Sequence, residues 1–567
     1  MDSVKNGKFT KKILMSSVCS PIGPSVGDSE SVGYELLHGQ VTRAQHIYSP
    51  RVVHKQFALD YIAVNLDTSS MVLHYPSKKS FIKEIKKGYE YIAIAFVLST
   101  AHHMKKMCHL IRTHAPNSRI ILGGYGTVMS DEELFPFADY ICREEGVGFM
   151  RKLLNEPPLT IERYKHPDIR SRLKVFGIPI AHTGMIFAGL GCPNGCDFCC
   201  TSHFFKKKHI RLLPTGKSVY DFMKGHKDKY PDIEHTILDE DFLLSKDRSK
   251  EYLELCRKNN QSFSTFCFAS VKAISQYTPH ELLEMGIDGL WVGYESKKAG
   301  YEKHEGVDID SLIKELQSHG ITVLTSMIVG IPYQTDKIAK REFSELMETR
   351  PALSQFLIYG PTPGTPFYEK VMKQDLMQDD LKNDRMKYYK KCTGFSSMVK
   401  HPFLRREEIE KLQQEFYEND FKTLGPSIFR IAEIKMAGYK RYRNNPNHLL
   451  RNKAKEFRKK LPPYLAILPV GILGPKISLK NRWEYLKLLF KILGHARAHE
   501  LSYLLASPIM GLAACACWMN KKLKFFQHPV TRIYKYRGRL VQEEIPEESI
   551  SRRRLETTLY SSNEVTP

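Results

Sequence analysis

From Thr183 to Tyr359, segments typical of buried strands alternate with segments of helical periodicity, and this alternation limits the fold more than any other feature. A helix between two strands carries the chain back across the sheet, so the strands are expected to be parallel. Six strand segments predict a partial (β/α)6 barrel, whose functional residues lie at the carboxyl ends of the strands. The segments are Met185–Leu190, Thr236–Leu238, Ser264–Ala269, Gly289–Val292, Val323–Val329 and Gln355–Tyr359.

The first third of the chain alternates in the same way. Apolar runs at Lys12–Val18, Tyr91–Leu98 and Ser118–Leu122 indicate strands, and Ala101–His114 has helical periodicity. This order predicts a doubly wound, Rossmann-like α/β domain. The third strand leads into the glycine-rich segment 123–127, where the backbone lets a ligand approach closely; a plain glycine-rich turn is the alternative.

Composition divides the chain into five parts. Residues 1–156 are expected to form the N-terminal α/β domain, and the proline-containing segment 157–182 a linker. The barrel is assigned to residues 183–400, and a mostly helical domain rich in basic and aromatic residues to 401–541. Residues 542–567 are polar and are interpreted as a tail. The predicted fold class is therefore α/β with a basic helical C-terminal region.

The net charge of +23 is concentrated near the C-terminus, where Ser427 to Leu540 contains 24 lysines and arginines and 4 glutamates. An excess of this size attracts nucleic acid, anionic lipid or phosphorylated substrates; a solvated basic surface without a partner is the alternative. The most apolar segment, Leu501 to Met519, is near the lower length limit for a membrane span and is interrupted by Pro508. We expect a buried or interfacial helical hairpin there.

The 12 cysteines do not form the regular pattern of a disulfide-stabilised secreted domain, and residues 1–20 lack the apolar core of a signal peptide. A reducing cytoplasm is therefore expected, where clustered cysteines bind metals or act in redox chemistry. Three of them, Cys192, Cys196 and Cys199, follow the first barrel strand with the spacing C-x3-C-x2-C.

Three thiolates on one short loop can ligate three irons of a cubane cluster, which leaves the fourth iron open to another ligand. Gly191 and Gly195 let the loop wrap around such a cluster. A zinc site is the alternative, with Cys200 or His203 as a fourth ligand, although zinc sites more often pair two C-x2–4-C arms. Cys200 does not fit the cubane spacing and is expected to be a bystander.

The motif, with an aromatic residue before the third cysteine, resembles the signature of the radical S-adenosylmethionine (SAM) superfamily. The resemblance implies an enzyme in which Cys192, Cys196 and Cys199 hold a [4Fe–4S] cluster and SAM chelates the fourth iron. It also implies that reductive cleavage of SAM gives a 5′-deoxyadenosyl radical, and that Phe198 lies beside the adenine.

Four later segments resemble barrel elements of the same superfamily, in the expected order. Segment 238–242 (LDEDF) resembles the second-strand element of the cobalamin-linked branch, and 291–296 (WVGYES) resembles the fourth-strand element that contacts SAM. Segment 326–332 (SMIVGIP) resembles the fifth-strand segment that packs on adenine, and 360–366 (GPTPGTP) resembles the turn after the sixth strand. The resemblance implies that SAM is bound by Phe198, Glu295, Ser296, Gly330 and Ile331; a strand-end salt bridge is the alternative for Glu295.

Residues 91–154 resemble a cobalamin-binding domain through YIAIAF, IILGGYGT and FADYICREEGVGFMRKLL. Arg143-Glu144-Glu145-Gly146 stands where G-E-G-E is usual, and no D-x-H-x-x-G occurs. The resemblance therefore implies base-off cobalamin without a histidine ligand, near Gly123, Gly124, Thr127 and Glu145. A domain that has kept the fold and lost the cofactor is the alternative.

The resemblance as a whole implies a cobalamin-dependent radical SAM methyltransferase that methylates an unactivated carbon. It implies a small-molecule, lipid or peptide substrate and a one-electron reductant such as flavodoxin or ferredoxin. The alternatives are a radical SAM cyclase or rearrangement enzyme, a methylthiotransferase without cobalamin, and a basic protein that binds nucleic acid or a membrane surface. No RNA-binding signature accompanies the basic residues, so a nucleic-acid partner is not expected. We expect a cytoplasmic protein with peripheral membrane contact through its basic C-terminal region.

Overall fold

The computed structural model describes residues 11–19, 40–49, 56–175, 178–296, 300, 304, 306–523, 531–539 and 542–545. Its N-terminal unit alternates strands and helices along the chain. These are β1 (Lys11–Ser17), α1 (Phe57–Val64), β2 (Ser70–His74), α2 (Lys78–Ile85), β3 (Tyr89–Ala95), α3 (Ala101–His114), β4 (Arg119–Gly123), α4 (Asp131–Leu134), β5 (Tyr140–Ile141) and α5 (Gly146–Leu153).

The five strands form a parallel sheet in the order β2-β1-β3-β4-β5, with helices on both faces. Strand β1 shows why the sheet is buried on both sides. Leu14 packs in the cluster that contains α2 and α3, whereas Ile13 and Met15 pack in the cluster that contains α1 and α5. Successive side chains of a strand point to opposite faces, so a continuous apolar run suits this position. The predicted doubly wound domain is confirmed.

The central unit contains the longer series of alternating elements. These are β6 (Arg170–Val175), β7 (Ile178–Phe187), β8 (Gly189–Leu190), α6 (Cys200–Phe204), β9 (Ile210–Arg211), α7 (Gly216–Lys229), β10 (Glu234–Leu238), α8 (Lys246–Lys258), β11 (Thr265–Phe268), α9 (Val271–Ile274), α10 (Pro279–Glu284), β12 (Ile287–Glu295), α11 (Ile309–Ser318), β13 (Thr322–Val329), α12 (Asp336–Glu348), β14 (Leu353–Ile358), α13 (Pro366–Lys373), α14 (Asp379–Lys382) and α15 (Arg385–Lys391).

Six of these strands are parallel and adjacent in the order β7-β10-β11-β12-β13-β14, which confirms the partial (β/α)6 barrel. The predicted linker 157–182 is partly wrong, because β6 and the start of β7 lie within it. Strand β6 pairs antiparallel with β7 and adds a seventh strand to the sheet. The prolines of this segment obscured the strand pattern in the sequence.

The C-terminal region is helical as predicted up to residue 523. It contains α16 (Arg406–Leu424), α17 (Ser427–Tyr442), α18 (His448–Lys459), α19 (Leu468–Leu473), α20 (Leu479–Leu493), α21 (Ser502–Leu505) and α22 (Ser507–Leu523), followed by β15 (Arg532–Tyr536) and β16 (Gln542–Ile545). The hairpin predicted within Leu501–Met519 is wrong, since one long helix, α22, follows the single turn of α21.

Two predictions are wrong at the C-terminal end, because β15 lies within the predicted helical domain, which extended to residue 541, and β16 lies within the predicted polar tail, which began at residue 542. Strand β15 pairs antiparallel with β2 and extends the N-terminal sheet, and β16 pairs with β15. Tyr534 and Tyr536 are buried against this sheet, and the Tyr536 hydroxyl donates to Asp60. Alternating tyrosines thus bury one face of a strand that also contains Arg532 and Lys535.

The N-terminal and central units meet at the carboxyl ends of their strands. Helix α15 packs against α3 and the turn 98–100 that follows β3. Its Tyr389 hydroxyl donates to Glu133 of α4 at 2.6 Å, and Arg385 forms an ion pair with the same carboxylate. The two edges where α/β folds bind ligands therefore face each other.

Candidate functional site

The cysteine loop follows β8 at the mouth of the barrel. Gly191 and Gly195 have φ of +76° and +66°, which L-residues with side chains rarely adopt. A Cβ atom at Gly191 would lie 2.2 Å from the carbonyl oxygen of Lys208. The loop then closes with a hydrogen bond from the Cys199 N–H to the Cys196 carbonyl at 3.0 Å. The glycines are therefore required by the path of the backbone.

Ser202 connects two backbone positions of this loop to α6, and sequence reasoning did not identify it. Its buried hydroxyl donates to the Cys192 carbonyl at 2.6 Å and accepts from the Gly195 N–H at 3.1 Å. A hydroxyl can donate and accept at once, which suits it to bridging a carbonyl and an amide. Its position three residues after Cys199, on the first turn of α6, is the only signal in the sequence.

The sulfur atoms of Cys192, Cys196 and Cys199 form the donor set. The pKa of the Cys192 thiol is raised to about 12, mainly by burial and less by the charges of Asp241, Cys199 and Cys196, while a backbone hydrogen bond at Asn194 opposes the shift. The three thiols are therefore electrostatic neighbours. Thiols of this kind ionise when a metal centre binds, because coordination stabilises the thiolate.

The preference for an iron–sulfur cubane over a single zinc ion depends on the spacing of the three cysteines and stays a prediction. Each thiolate of a cubane binds a different iron, whereas zinc ligands surround one centre at about 2.0–2.3 Å. Among the residues that the structure describes, no group of three or more His, Cys, Asp and Glu side chains is placed to hold a single metal ion. His203, a fourth ligand in the zinc alternative, instead has Nε2 within 3.1 Å of the Cys196 carbonyl.

Two acidic residues lie after β10, the second parallel strand of the barrel, and help to fix the position of the cysteine loop. Asp239 is buried, pairs with Arg248 at 2.8 Å and lies 3.0 Å from Nε2 of His209. Asp241 accepts from the Asn194 side chain within the cysteine loop at 3.1 Å and from the Ser270 N–H at 3.0 Å. The LDEDF segment therefore connects the cysteine loop to β10 and the turn after β11.

Glu240 lies between these two residues and differs from both, since its side chain remains accessible to solvent. Loss of surrounding water and the charge of Asp239 nevertheless raise the pKa of Glu240 to about 7, against the opposing effect of His209. A carboxyl group with this pKa exchanges a proton near neutral pH. Such a group can take part in proton transfer.

Replacement of Glu240 by glutamine is expected to stabilise the protein progressively as the pH rises from about 5 to about 8. The folded-state pKa exceeds that of an unfolded glutamate, so stability from the protonated form is lost as the pH rises through about 7. Glutamine mimics the protonated form throughout. Thermal unfolding of the anaerobically reconstituted protein at three pH values measures the difference. Glu348→Gln, at an exposed site on α12, is the control; a pH-independent difference at Glu240 would contradict the assignment.

Tyr125 brings the N-terminal sheet into contact with this site, and sequence reasoning did not single it out. It follows β4, and its ring packs edge-on against Phe204 of α6 with centroids 5.2 Å apart. Burial raises the pKa of its hydroxyl, and the charges of Glu240, Cys200 and Cys199 raise it further, while a hydrogen bond with Thr201 opposes them. The turn after β4 therefore lies beside both the cysteine loop and Glu240.

Phe198 and its neighbour connect the loop to the sixth parallel strand. The Asp197 carboxylate accepts from the Tyr359 hydroxyl at 2.5 Å, and its carbonyl accepts from the N–H of Phe367 at the start of α13. The rings of Phe198 and Tyr359 lie edge to face, 6.0 Å apart. Tyr359 is thus a further residue that positions the loop, and a contact of Phe198 with adenine stays a prediction.

Glu295 has an unusual backbone at the end of β12. Its φ is +51°, and the pairing of β12 with β13 shifts register between Gly293 and Glu295. A bulge with a strained non-glycine residue is typical of places where a side chain is re-aimed for function. This geometry supports a functional role for Glu295, whose binding to SAM stays a prediction.

The other residues predicted to bind SAM are joined by a buried network that sequence reasoning missed. Gln334 accepts from the N–H groups of Gly330 and Ile331 at 2.8 and 3.0 Å and donates to Glu342 at 2.8 Å. The Ser296 hydroxyl, fully buried, donates to the same carboxylate. Ser296 therefore acts within this network, which fixes the ends of β12 and β13 relative to each other.

The residues predicted to bind cobalamin divide into two pairs. Gly123 and Gly124 lie at the carboxyl end of β4; a Cβ at Gly123 would meet only Cys142 at 3.9 Å, and Gly124 has φ +89°. Thr127 is buried and donates to the Gly124 and Cys142 carbonyls. Glu145 caps α5 by accepting from the Val147 and Gly148 N–H groups. Gly123 therefore leaves space beside the backbone, whereas a Cβ at Gly124 would lie 2.6 Å from the Phe96 carbonyl oxygen. Thr127 and Glu145 also have local structural partners, and all four cobalamin contacts stay predictions.

A triad of cysteines at the mouth of a partial (β/α)6 barrel, with a doubly wound sheet before it, is the arrangement that the resemblance to cobalamin-linked radical SAM enzymes predicts.

Comparison with known proteins gives distant relatives. No protein-family profile matches the chain. It is 22% identical over 392 residues to an uncharacterised methyltransferase of Pyrococcus horikoshii, covering 64% of this chain and 79% of the relative. It is 24% identical over 366 residues to the bacteriochlorophyllide d C-12(1)-methyltransferase of Chlorobaculum tepidum, with 58% and 75% covered.

A third relative is the tRNA-2-methylthio-N(6)-dimethylallyladenosine synthase of Bifidobacterium adolescentis, 23% identical over 304 residues, with 47% of this chain and 60% of the relative covered. Among solved structures, the radical SAM methyltransferase TsrM from Kitasatospora setae aligns with a TM-score of 0.49 and 12% identity, over 79% of this chain and 99% of TsrM.

Proposed function

We propose that the protein is a cobalamin-dependent radical SAM methyltransferase that methylates an unactivated carbon. The observation that carries this proposal is the contact of Tyr125 with α6, because it joins the glycine edge of the N-terminal sheet to the cysteine loop. When bound, a [4Fe–4S] cluster with SAM supplies a 5′-deoxyadenosyl radical, and cobalamin supplies a methyl group at the same cleft. Two relatives are named as methyltransferases, which supports the proposal of methyl transfer.

The cysteine loop would hold the cluster in one orientation. Cys192, Cys196 and Cys199 are the ligands, and Ser202, Asn194 and Asp197 attach the loop to α6, β10 and the sixth strand. Partners of this kind fix the direction of metal ligands and are usually needed for full activity.

SAM would bind along the ends of β12 and β13. We assign Glu295 to a polar group of SAM, Gly330 and Ile331 to the adenine side, and Phe198 to the opposite side of the adenine. Ser296 acts through Glu342 and Gln334 as a positioning residue. The buried network keeps these groups fixed, which lowers the entropy lost when the cosubstrate binds.

Cobalamin would lie on Gly123 and Gly124, base-off and without a histidine ligand. At Gly123 the absence of a Cβ leaves room for a large planar ring to approach the backbone, and Gly124 lets the turn pack against Phe96. Thr127 and Glu145 maintain the shape of the edge through the turn after β4 and the start of α5.

We further propose a small-molecule, lipid or peptide substrate and a one-electron reductant such as flavodoxin or ferredoxin. The protein is expected in the cytoplasm, with a peripheral contact to the membrane. Glu240 is the residue assigned to exchange a proton with the substrate at the barrel mouth, since it is accessible and its pKa is about 7.

Product analysis after anaerobic reconstitution with iron, sulfide and cobalamin tests the proposal. Incubation with SAM, a reductant and cell extract as substrate source is expected to give both 5′-deoxyadenosine and S-adenosylhomocysteine by mass spectrometry. 5′-Deoxyadenosine without S-adenosylhomocysteine would contradict methyl transfer and indicate a cyclase or rearrangement enzyme.

A methylthiotransferase would need a second cluster in the N-terminal unit, and the described cysteines of that unit do not provide one. Cys19 and Cys108 are buried in its apolar core, where burial raises both pKa values to about 12. Cys142 lies instead beside Gly123. These thiols act as small apolar side chains, so methyl transfer remains the function that we propose.

A further inference from the structure

Exposed apolar side chains are concentrated in one part of the molecule. Of the 13 large hydrophobic residues that the structure shows as exposed, 10 lie between Leu473 and Met519. Isolated exposed hydrophobic residues are common, but a group of this size marks a binding surface. We call the outer sides of α20 and α22, with Leu473 and Leu505, the amphipathic face.

Helix α22 presents an apolar stripe to the outside. Ile509, Leu512 and Met519 are 55%, 71% and 50% exposed, and the exposed Ala516 lies on the same side. These positions recur every three or four residues and therefore share one face of the helix. The opposite side of α22 packs against α19 and the turn His46–Tyr48. A helix of a globular protein normally buries such a stripe, so this one is built to meet another apolar phase.

Helix α20 combines large apolar residues with lysines on its outer side. Leu479, Trp483 and Phe490 are 84%, 58% and 64% exposed. Exposed lysines at 480, 487 and 491 alternate with them, and the Lys487 Nζ lies 5.6 Å from the centre of the Trp483 ring. Tryptophan beside lysine is typical of segments at the interface between lipid headgroups and acyl chains.

The two helices are held together from behind. Helix α19 contacts both α20 and α22, and Tyr485, Leu488 and Ile492 on the inner side of α20 belong to a buried apolar cluster with α17. The apolar side chains of the amphipathic face are therefore fixed before any partner binds, which lowers the cost of association.

The charge of this region indicates which partner it meets. Residues 468–523 contain eight lysines and arginines and two glutamates. A cationic and apolar face is complementary to a bilayer with anionic headgroups, where each basic residue adds to the attraction. In the described part of the chain no helix is long and apolar enough to span a membrane. An orientation in the plane of the interface suits these helices.

We propose that the amphipathic face docks the enzyme onto an anionic lipid bilayer, with α20 and α22 lying in the plane of the headgroups. This inference deepens the peripheral localisation proposed above. It is independent of the chemistry at the cysteine loop, which lies in the barrel.

Co-sedimentation of the full-length reconstituted enzyme with vesicles tests the proposal. Binding is expected to vesicles of phosphatidylglycerol and phosphatidylcholine, to decrease with added salt, and to be at least tenfold weaker with phosphatidylcholine alone. The double variant Ile509→Glu, Leu512→Glu is expected to lose binding at least tenfold because it puts charge into the acyl region. Lys480→Glu with Lys487→Glu is expected to lose the preference for anionic lipid.

Phe403→Glu is the matched control, because Phe403 is 60% exposed and lies before α16 rather than on the amphipathic face. It should bind vesicles like the unchanged enzyme. The proposal is overturned if the unchanged enzyme does not sediment with anionic vesicles, or if the variant Ile509→Glu, Leu512→Glu sediments equally well. It is also overturned if the unchanged enzyme is a dimer, the double variant is a monomer, and neither binds vesicles. Cleavage of SAM to 5′-deoxyadenosine, measured on the same samples, separates failure of docking from failure of the proposed chemistry.

Discussion

Replacement of Cys196 by alanine is expected to remove most of the iron bound after anaerobic reconstitution and to lower cleavage of SAM by more than about 100-fold. Two thiolates cannot hold a cubane on this loop, and the buried Cys192 thiol loses one neighbour of its donor set. Iron and sulfide analysis and the yield of 5′-deoxyadenosine under reducing conditions measure the effect.

Cys200→Ala is the matched control for that variant. Cys200 is next to Cys199 in the sequence, but it begins α6. Burial raises the pKa of the Cys200 thiol, and the charges of Cys199 and of the nearby Glu240 raise it by smaller amounts. This variant should keep its iron and most of its activity. If Cys200→Ala and Cys196→Ala lost iron equally, the four cysteines would form a closed metal site, and the assignment of an open cluster would be wrong.

Replacement of Arg248 by leucine is expected to lower the free energy of unfolding by about 3–5 kcal/mol. The guanidinium group is fully buried and pairs with Asp239 at 2.8 Å; it also donates to the carbonyls of Ala188 and Phe242. Without it, the buried Asp239 carboxylate keeps only His209 as a side-chain partner, and the residue before β8 loses a hydrogen bond. Urea unfolding followed by circular dichroism measures the change.

Arg211→Leu removes an ion pair of similar length at the surface. Arg211 lies 2.7 Å from Asp247, and their side chains are 36% and 70% exposed. Solvent screening is expected to keep its effect within about 1 kcal/mol. Equal effects of the two substitutions would mean that Asp239 does not depend on Arg248, and the anchoring of the cysteine loop through β10 would need another explanation.

Much of the fold could be predicted because the strands are continuous apolar runs and the crossovers are short. Helix α3 has the predicted bounds Ala101–His114, and the six parallel barrel strands overlap the predicted runs, although β7 begins at Ile178, seven residues before its run. Strand β15 could not be predicted, because its partner β2 is more than 450 residues earlier in the chain and the strand lies in a basic segment. Local periodicity contains no information about such a pairing.

The candidate site could be predicted only where chemistry depends on spacing along the chain. The three cysteines lie on one loop, and Glu295 follows its predicted strand Gly289–Val292, with a positive φ that no pattern indicates. Tyr125 and Tyr359 reach the same site from distant segments, so the sequence could not bring them together. Thr127 and Glu145 resembled cofactor contacts, but side chains of their type also form local hydrogen bonds, as both do here.

We propose that three cysteine thiolates leave one iron of a [4Fe–4S] cluster available to SAM. Electron paramagnetic resonance of the reduced, anaerobically reconstituted protein tests this coordination, with spectra recorded before and after addition of SAM. We expect a cluster signal whose g values and line shape change when SAM is added, and no such change in Cys196→Ala. A cluster signal that SAM leaves unaltered, or stoichiometric zinc in place of iron, would contradict it.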